Sequence, residues 1–373
     1  MKAVAVRPHA RTIELVDHPA PAIESPTQVS LRVLEVGICG TDREIAAFEF
    51  GTPPAGAGHL VIGHESLAEV TEVGPRVTAL RPGDLVVPTV RRPCPDAACG
   101  PCRASRADFC RTGAFIEHGI RGAHGFMTER LVEEERYLTA VPRALREVAA
   151  LVEPLTIAEK GLLQLFAVQS RLPWTCPHAA VEGPGHCHHA LVLGAGPVGL
   201  LGAMALRVRG FDTSVYSLEP EDHPKAALVS AIGARFVSAA AHPPADLVRV
   251  LGPVDVLYEA AGASRLALGI LDLLAPNGVA ILTGVPGRHA PSDFDTDGLV
   301  RRLVLGNQVL LGTVNAGSDG FTAAIDDLER FDRRWPGPLR GLVTGRFPIE
   351  AFRELLLGPP TGIKNLVSFE VPS

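Results

Sequence analysis

The stretch ALVLGAGPVG, Ala190–Gly199, decides the predicted fold. Its four leading apolar residues are typical of a buried strand, and the glycines that follow have the G-x-G-x-x-G spacing that joins a strand to a helix. Gly194 permits the tight turn, Gly196 lets the backbone approach a pyrophosphate, and Gly199 packs the helix against the strand. Free N–H groups at the start of the helix would bind the phosphates. We therefore expect a dinucleotide site, rather than an ordinary glycine turn, at Gly194, Gly196, Pro197, Val198 and Gly199.

An acidic residue, Glu219, follows the next strand-like run, Ser214–Leu218, about 20 residues after the last glycine. A carboxylate there can accept hydrogen bonds from the ribose hydroxyls of NAD, and it repels the extra phosphate of NADP. The adjoining residues 220–222 include no arginine. The sequence therefore favours NAD, while Lys225 keeps NADP possible. The alternative for Glu219 is a solvated acidic loop at a strand end.

The pattern on either side of this stretch indicates an α/β protein. From Ala190 to Val314, apolar runs alternate with helical stretches, which is typical of βαβ units on a parallel sheet. Residues 1–90 instead alternate short β-like runs with turn residues. The sequence thus predicts a dinucleotide-binding domain at 188–318, inserted into a β-rich domain formed by 1–187 and 319–373.

The composition excludes several classes of protein. The net charge of −6 and the isoelectric point near 6.1 argue against a nucleic-acid-binding protein, including a zinc module of that kind, because such proteins usually carry a basic surplus. The first residues contain no apolar segment of the secretory type. The longest uncharged apolar stretch, Ala190–Leu206, is too short to cross a membrane. We therefore expect a cytoplasmic protein that binds neither nucleic acid nor membranes.

Four of the seven cysteines lie in one short segment, CPDAACGPCRASRADFC. In a cytoplasmic protein such clustering favours a metal over disulfides. Four thiolates bind Zn²⁺ in a closed tetrahedral shell, which leaves no position for a substrate. The sequence predicts a structural zinc site, rather than four incidental thiols, at Cys94, Cys99, Cys102 and Cys110.

A second set of candidate ligands occurs in three short motifs, GICGTD (37–42), GHE (63–65) and VEP (152–154). One thiolate, one imidazole and one carboxylate would hold Zn²⁺ and leave the fourth position for water or a substrate oxygen. The metal would act as a Lewis acid and stabilise the alkoxide that forms before a hydride leaves carbon. We predict a catalytic zinc bound by Cys39, His64 and Glu153, with Glu65 either a spare ligand or a structural carboxylate.

Two neighbours of Cys39 have predicted supporting roles. Asp42 could orient and polarise the His64 imidazole. Thr41 could carry the proton of the substrate hydroxyl towards solvent. Thr41 and Glu44 also have the spacing of a helix capping box, so capping is the alternative role of Thr41.

In this order, the motifs resemble those of the zinc-containing medium-chain dehydrogenase/reductase superfamily. The resemblance implies a GroES-like, β-rich catalytic domain that is split around a Rossmann domain with a doubly wound parallel sheet, and a homodimer or homotetramer. It also implies that Cys39, His64 and Glu153 match the zinc positions with Glu65 close by, and that Asn315 reaches the sugar and the nicotinamide. Five further segments resemble the glucose dehydrogenase branch, so that the likeness covers nearly the whole chain: VVPTVRRPC (86–94), DFCRTG (108–113), GAHGFM (122–127), EPLTIAEKG (153–161) and GTVNAG (312–317).

The predicted reaction is hydride transfer from a hydroxyl of a sugar or polyol to NAD or NADP, as in a glucose 1-dehydrogenase. A pocket that hydrogen-bonds a hydroxyl loses much when a partner is missing. Because three positions differ from what is frequent in that branch, the alternative substrate is another sugar, a sugar-like cyclitol or a carbocyclic secondary alcohol of specialised metabolism. These positions are Ala114 in place of an acidic residue, with Glu117 the nearest carboxylate; Leu305 in place of a polar residue, with Asn307 and Gln308 near; and Glu219 in place of Arg or Asn.

The alternative to an enzyme is an NAD-binding structural or sensing protein, since a fold does not determine a function. A protein that had lost its activity would be expected to lose part of the set Cys39, His64 and Glu153. This chain keeps all three, which favours an enzyme.

One segment, Arg171–His189, is rich in proline, glycine, cysteine and histidine and is predicted to be a connecting loop. The spacing of its potential ligands matches no known metal site. We expect a solvated linker that picks up metal adventitiously, with an extra regulatory metal as the alternative. The potential ligands are Cys176, His178, His186, Cys187, His188 and His189.

Overall fold

The computed structural model describes residues 1–174, 176–286 and 293–370, and the chain forms two compact units. Unit 1 comprises Met1–Thr156, Asn315–Glu329 and Leu342–Ser373, and unit 2 comprises Ile157–Val314 and Arg330–Gly341. Along the chain, unit 2 is therefore inserted into unit 1. Within the described ranges, no helix has both the length and the apolar character that a membrane span requires.

The strands and helices follow one another in mixed order along the chain. The strands are β1 Lys2–Arg7, β2 Thr12–Asp17, β3 Gln28–Gly37, β4 Leu60–Val61, β5 Glu65–Val73, β6 Leu85–Pro88, β7 Arg91–Arg92, β8 Ile116–His118, β9 Gly122–Ala123, β10 Arg130–Glu134, β11 Leu138–Val141, β12 His189–Leu193, β13 Asp212–Ser217, β14 Arg235–Ser238, β15 Val254–Glu259, β16 Leu274–Leu282, β17 Val309–Gly312, β18 Val343–Pro348 and β19 Lys364–Ser368. The helices are α1 Gly40–Ala46, α2 Gly100–Arg103, α3 Val152–Gln169, α4 Ala179–Glu182, α5 Pro197–Val208, α6 Pro224–Ala231, α7 Leu247–Leu251, α8 Ser264–Gly269, α9 Thr296–Leu305, α10 Ser318–Arg334, α11 Pro336–Gly341 and α12 Phe352–Leu357.

Unit 1 is built on β-sheets, as the short β-like runs predict. Its largest sheet has the order β11-β6-β5-β3-β19-β18, with β10 also paired to β3, and smaller sheets have the orders β2-β1-β4 and β7-β8-β9. Along β3, Val29, Leu31 and Val33 are buried while Arg32 is exposed, so alternate side chains enter the core. The central strands β3 and β5 run antiparallel, which places the end of one beside the start of the other.

Unit 2 contains a six-stranded parallel sheet of order β14-β13-β12-β15-β16-β17, with helices between successive strands. The first strand of the unit, β12, lies in the middle, so the strand order reverses there and a ligand crevice forms at the carboxyl end of β12. The predicted combination of a β-rich domain and a doubly wound parallel-sheet domain is confirmed.

Close packing in unit 2 depends on Gly202, which lies inside α5. A Cβ atom at this position would collide with the ring of Tyr258, which is 2% exposed and has little room to move. Glycine is therefore required here by the approach of the helix to β15, although glycine weakens an isolated helix.

Unit 1 contains a buried carboxylate, Glu133 on β10, which is 7% exposed. Burial alone would raise its pKa, but the hydrogen bonds and charges of His118 and Arg92 outweigh burial and lower the pKa of Glu133 to about 2. The Nε2 atom of His118 lies 3.4 Å from its carboxylate, and Arg92 donates to the same oxygen. Three strands, β7, β8 and β10, are thereby joined by one charged group.

The prediction of an adventitious metal-binding linker at 171–189 is wrong for its two cysteines. Cys176 and Cys187 form a disulfide, with their Cα atoms 5.6 Å apart. The chain turns back between them because α4 ends at Gly183, whose φ of +98° suits glycine. Sulfurs that are bonded to each other are not available as metal ligands, and in the described part of this segment no group of three ligands converges.

Candidate functional site

Two strand ends of unit 1 position the candidate metal ligands. Cys39 follows the end of β3 and precedes α1, while His64 stands just before β5. Gly37 and Glu65 are partners in the ladder between β3 and β5, and a Cβ atom on Gly37 would collide with the Glu65 carboxylate. A glycine before Cys39 is therefore needed for the two motifs to approach each other.

The ligand atoms of Cys39, His64 and Glu65 all lie within 4.8 Å of one another. His64 is 5% exposed and Glu65 is 1% exposed, whereas Cys39 is half-buried, so solvent reaches the cluster only on the side of Cys39. A thiol, an imidazole and a carboxylate at this separation match the donor types that Zn²⁺ takes in catalytic sites. The side chains present therefore fit a zinc ion.

Asp42 ties the two motifs together and is fully buried. Its Oδ2 accepts the backbone N–H of Cys39 at 2.9 Å, and its Oδ1 accepts the backbone N–H of Gly63 at 3.1 Å. The same Oδ1 lies 3.3 Å from Nδ1 of His64. Burial alone would lower the pKa of His64, but the Asp42 carboxylate outweighs burial and raises it well above its usual value. The contact leaves Nε2 of His64 as the ligand atom.

The helix cap at this site differs from the predicted one. Helix α1 begins at Gly40 with Cys39 as the N-cap residue, and the side chain that closes the cap is Asp42, which accepts the Cys39 N–H. The capping box of Thr41 and Glu44 is therefore wrong, because Thr41 already lies within the first helical turn. The half-buried Thr41 hydroxyl is left for another role.

Sequence analysis missed Lys364, which holds Glu65 in place. Its Nζ donates to Oε1 and Oε2 of Glu65 at 2.9 and 2.6 Å and to the carbonyl of Ile38 at 3.0 Å. Both charged side chains are 1% exposed. Charge attraction to Glu65 outweighs burial and raises the pKa of Lys364. Glu65 is thus charge-paired within the ligand cluster, and nothing in the sequence near Lys364 indicates this contact.

Glu153 lies in the first turn of α3 and is 7% exposed. It is not a member of the 4.8 Å cluster that the described residues form. Burial raises the pKa of Glu153 to about 7; the charge of His64 lowers this pKa, and the charge of Glu65 raises it further. Glu153 therefore interacts electrostatically with both of these side chains. The structure thus places Glu153 beside the cluster and leaves its role as a ligand a prediction.

The four cysteines of the predicted structural site converge. Their sulfur atoms all lie within 4.8 Å of one another, and a tetrahedral Zn²⁺ with bonds of about 2.3 Å holds its sulfurs roughly 3.8 Å apart. The backbone N–H groups of Arg111 and Cys102 lower the pKa of the Cys99 thiol. Donors aimed at a sulfur favour the thiolate that a zinc ion needs. The side chains Cys94, Cys99, Cys102 and Cys110 therefore fit this ion.

The glycine-rich turn of unit 2 has the geometry that its spacing predicts. Gly194 has a φ of +99°, and a Cβ atom on Gly199 would collide with the carbonyl of Gly194. A Cβ on Gly196 would meet nothing within 4 Å, which leaves open space where a pyrophosphate approaches. The apolar run Gly199–Val208 predicts the helix that follows, and α5 begins at Pro197, two residues earlier, so that its free N–H groups lie next to this space.

Glu219 follows β13, as expected, but its carboxylate has protein partners. The side chains of Lys225 and Ser217 both donate to it. Burial alone would raise its pKa, yet these two partners outweigh burial and lower it. Lys225, which keeps NADP possible, is thus paired with Glu219, which favours NAD.

The residues expected to set the substrate have other partners. Arg91 donates to Glu117 at 2.8 and 3.0 Å, and Gln308 donates to the carbonyl of Leu274 at 2.6 Å. Leu305 is 68% exposed. Asn315, in unit 1, has a φ of +55° and is 8% exposed, and its Oδ1 accepts no hydrogen bond in the described structure. Among these candidate residues, Asn315 is therefore the one with a buried, unused acceptor.

Comparison with known proteins agrees with this geometry. Residues 146–369 match the family described as glucose dehydrogenase C-terminus, and residues 25–143 match the alcohol dehydrogenase GroES-like domain. The glucose 1-dehydrogenase of Methanocella arvoryzae is 38% identical over 98% of this chain and 99% of its own length, and that of Thermoproteus tenax is 38% identical over 99% of this chain and 100% of its own.

A solved structure of Haloferax mediterranei glucose dehydrogenase, in complex with NADP, Zn and gluconolactone, superposes with a TM-score of 0.87. It is 33% identical and covers 100% of both chains. Because both family matches and full-length relatives above 30% identity agree, the chain belongs to the zinc-containing medium-chain dehydrogenase/reductase superfamily, in its glucose dehydrogenase branch.

Proposed function

We propose that this protein oxidises the C1 hydroxyl of an aldose and transfers the hydride to NAD or NADP, which gives a lactone. The observation that carries the proposal is the convergence of Cys39 and His64 beside the buried Asp42. These residues lie in the segment that matches the alcohol dehydrogenase GroES-like domain. Support for a sugar comes from the Haloferax relative, whose structure holds gluconolactone.

In this proposal Cys39, His64 and Glu153 hold a zinc ion, which supplies Lewis-acid stabilisation of the substrate oxygen. Asp42 fixes the orientation of the His64 ring through Nδ1. Thr41, which is not needed as a helix cap, accepts the proton of the substrate hydroxyl and passes it towards solvent. Lys364 donates to both carboxylate oxygens of Glu65 and so holds this side chain in place beside the ligands.

The dinucleotide binds at the turn of unit 2. The open space at Gly196 and the start of α5 accept the pyrophosphate. Glu219 binds the ribose hydroxyls and favours NAD, and Lys225 permits NADP once the Glu219 carboxylate is turned away or neutralised. Asn315 donates to or accepts from the sugar, since its Oδ1 is unused and buried.

A second candidate is the dehydrogenation of a sugar-like cyclitol or a carbocyclic secondary alcohol at the same site. Ala114 cannot accept a hydrogen bond, and Glu117 is engaged by Arg91. A sugar pocket with fewer acceptors discriminates less strongly in favour of glucose. The non-enzymatic alternative, an NAD-binding structural or sensing protein, is disfavoured because the half-buried Cys39 and the buried His64 serve no packing need that apolar residues would not meet.

We also propose that the protein forms a homodimer or homotetramer and acts in the cytoplasm. The oligomer follows from the resemblance to the superfamily, and light scattering of the purified protein tests it. Because cytoplasmic disulfides are rare, this location predicts that Cys176 and Cys187, which are bonded in the structure, are reduced in cells. Alkylation of thiols in intact cells, followed by mass spectrometry of this segment, distinguishes the reduced from the oxidised pair.

The experiment that tests the proposed function follows NAD(P)H formation by the zinc-loaded protein with a panel of aldoses, cyclitols and secondary alcohols. NAD and NADP are supplied in parallel. Cys39→Ser removes a zinc ligand, and Thr41→Val is compared with the matched control Thr41→Ser, which keeps the hydroxyl.

We expect turnover of an aldose, loss of that turnover in Cys39→Ser, and a larger fall in kcat for Thr41→Val than for Thr41→Ser. Turnover of a cyclitol or carbocyclic alcohol alone would retain the site and replace the substrate. A zinc-loaded, NAD-binding protein that turns over none of the panel, or equal activity in Cys39→Ser, would contradict the proposal.

A further inference from the structure

Three histidines of unit 1 converge at a place that the proposed function does not use. His18 follows β2, His59 precedes β4 and His124 follows β9. One ring nitrogen of each lies within 4.8 Å of the others, and all three side chains are half-buried. The ring centroids are 4.8 to 5.6 Å apart. Three segments far apart in sequence therefore bring imidazoles to one point.

The spacing suits a metal ion. Nε2 of His59 lies 3.4 Å from Nδ1 of His18. Two imidazole nitrogens that bind a tetrahedral ion with bonds of about 2.0–2.1 Å are separated by roughly 3.3 Å. Two neutral rings can also form a hydrogen bond over this distance. Such a bond would account for the contact between His18 and His59, but not for the position of His124 beside them.

Burial and the neighbouring charges favour the neutral form of the three rings, which is the form that binds a metal. Burial and the neighbouring imidazoles lower the pKa of His124 to about 4, and burial lowers the pKa values of His18 and His59. No carboxylate among the described residues lies within ion-pair distance of any of the three. The two nearby cations have partners of their own: the Met1 ammonium with Asp17 at 2.7 Å and Arg7 with Glu14 at 2.5 Å.

We propose that His18, His59 and His124 bind one divalent first-row transition-metal ion. The ion links three segments of the chain: the end of β2, the start of β4 and the loop after β9. Three imidazoles with no thiolate or carboxylate suit Zn²⁺, Ni²⁺, Co²⁺ or Cu²⁺ and not Mg²⁺ or Ca²⁺. The remaining coordination position is filled by water. The site is distinct from the two zinc sites, since it shares no ligand with them.

His124 makes the weakest of the three bonds. Its Nδ1 accepts the backbone N–H of Val61 at 3.1 Å, which places the ring proton on Nε2. An imidazole cannot offer both lone pairs while it keeps its proton, so His124 has to give up the Val61 contact when it binds the ion. His18 and His59 carry no such restriction, and their substitution is expected to matter more.

The test counts zinc in the full-length protein after dialysis against buffered micromolar Zn²⁺, by inductively coupled plasma mass spectrometry. His18→Asn and His59→Asn remove one ligand each, and His9→Asn is the matched control because His9 is exposed and outside the cluster. Thermal unfolding with and without added Ni²⁺ is recorded on the same proteins. Crystals of the unsubstituted protein grown with Zn²⁺ and measured at the zinc edge supply a readout that needs no variant.

We expect His18→Asn and His59→Asn each to lose one zinc equivalent per chain, His9→Asn to lose none, and Ni²⁺ to raise the Tm of only the proteins that keep the cluster. An anomalous peak between the three rings is expected. Equal zinc content in all four proteins, or the absence of an anomalous peak between the rings, would overturn the proposal. Binding only at millimolar concentration would also overturn it, because the ion would then be adventitious. The expected difference of one ion is independent of turnover, so it stands or falls separately from the proposed enzymatic function.

Discussion

Replacement of Lys364 by methionine tests the buried ion pair beside the candidate catalytic site. The change removes an ammonium group that donates to both oxygens of Glu65 and to the Ile38 carbonyl, while it keeps most of the side-chain volume. The Glu65 carboxylate is 1% exposed and is left as an uncompensated buried charge. Removal of one partner of such a pair costs about 3–5 kcal/mol, so we expect the free energy of unfolding of unit 1 to fall by that amount.

Two further proteins separate the buried charge from other effects. Glu65→Gln in the Lys364→Met background removes the unpaired charge, so the double variant is expected to be more stable than Lys364→Met alone. Lys2→Met makes the same substitution in a salt bridge with Glu350 whose side chains are 59% and 52% exposed. An exposed pair of this kind contributes little to stability because water and salt screen it, so we expect Lys2→Met to be close to neutral.

The assay is urea unfolding of the zinc-loaded proteins with two probes. Both tryptophans, Trp174 and Trp335, belong to unit 2, so their fluorescence follows that unit alone. Far-ultraviolet circular dichroism follows both units, and the difference isolates unit 1. A loss in Lys364→Met no larger than in Lys2→Met, or a double variant less stable than Lys364→Met, would refute the buried-charge argument.

Three other outcomes are expected. The pKa of Glu133 is lowered from 4.5 to about 2, so the ionised side chain contributes about 3 kcal/mol to the free energy of unfolding above pH 4.5. This contribution is lost as the pH falls towards 2, and Glu133→Gln is therefore expected to make stability depend less on pH in this acid range. Gly202→Ala drives a Cβ into the ring of Tyr258 and lowers the stability of unit 2, followed by tryptophan fluorescence, by about 1–3 kcal/mol. Glu219→Gln removes the charge that opposes a 2′-phosphate and releases Lys225, so kcat/KM for NADP relative to NAD rises about tenfold or more.

Each of these expectations has a control. Glu72→Gln changes an exposed carboxylate and should leave the acid limb unchanged; an equal effect of the two substitutions would contradict the Glu133 argument. Gly269→Ala adds a Cβ that meets nothing within 4 Å, and a loss as large as that of Gly202→Ala would argue against the packing explanation. For the cofactor, Glu221→Gln is the neighbouring control, and an unchanged NADP/NAD ratio in Glu219→Gln would remove Glu219 from cofactor choice.

The sequence predicted those features whose cause is local. The turn at Gly194–Gly199 needs glycine for steric reasons that operate within a few residues, so the strand, the turn and the helix are correct to within two residues. The four cysteines at 94–110 converge for a similar reason, since a short segment folds on itself around them. The motifs at Cys39 and His64 meet because β3 and β5 pair in a register that places Gly37 opposite Glu65.

Features that depend on distant segments could not be predicted. Lys364 reaches Glu65 only because β19 pairs with the end of β3, and nothing near either residue indicates this pairing. The cap of α1 is closed by Asp42 rather than by the Thr41–Glu44 pair. Asp42 is held there because it also accepts the backbone N–H of Gly63, which lies in the connection between β4 and β5. The Cys176–Cys187 disulfide is local, but it was not predicted because clustered cysteines in an expected cytoplasmic protein favour a metal over a disulfide.

The central claim, direct hydride transfer from C1 of an aldose at the Cys39–His64 site, is tested by isotope transfer. Zinc-loaded protein is mixed with the aldose it turns over best, deuterated at C1, and with NAD, and the reduced cofactor is analysed by mass spectrometry. The account predicts one deuterium in each NADH formed by the unsubstituted protein and no NADH from Cys39→Ser. Unlabelled NADH, or labelled NADH formed equally by Cys39→Ser, would contradict it.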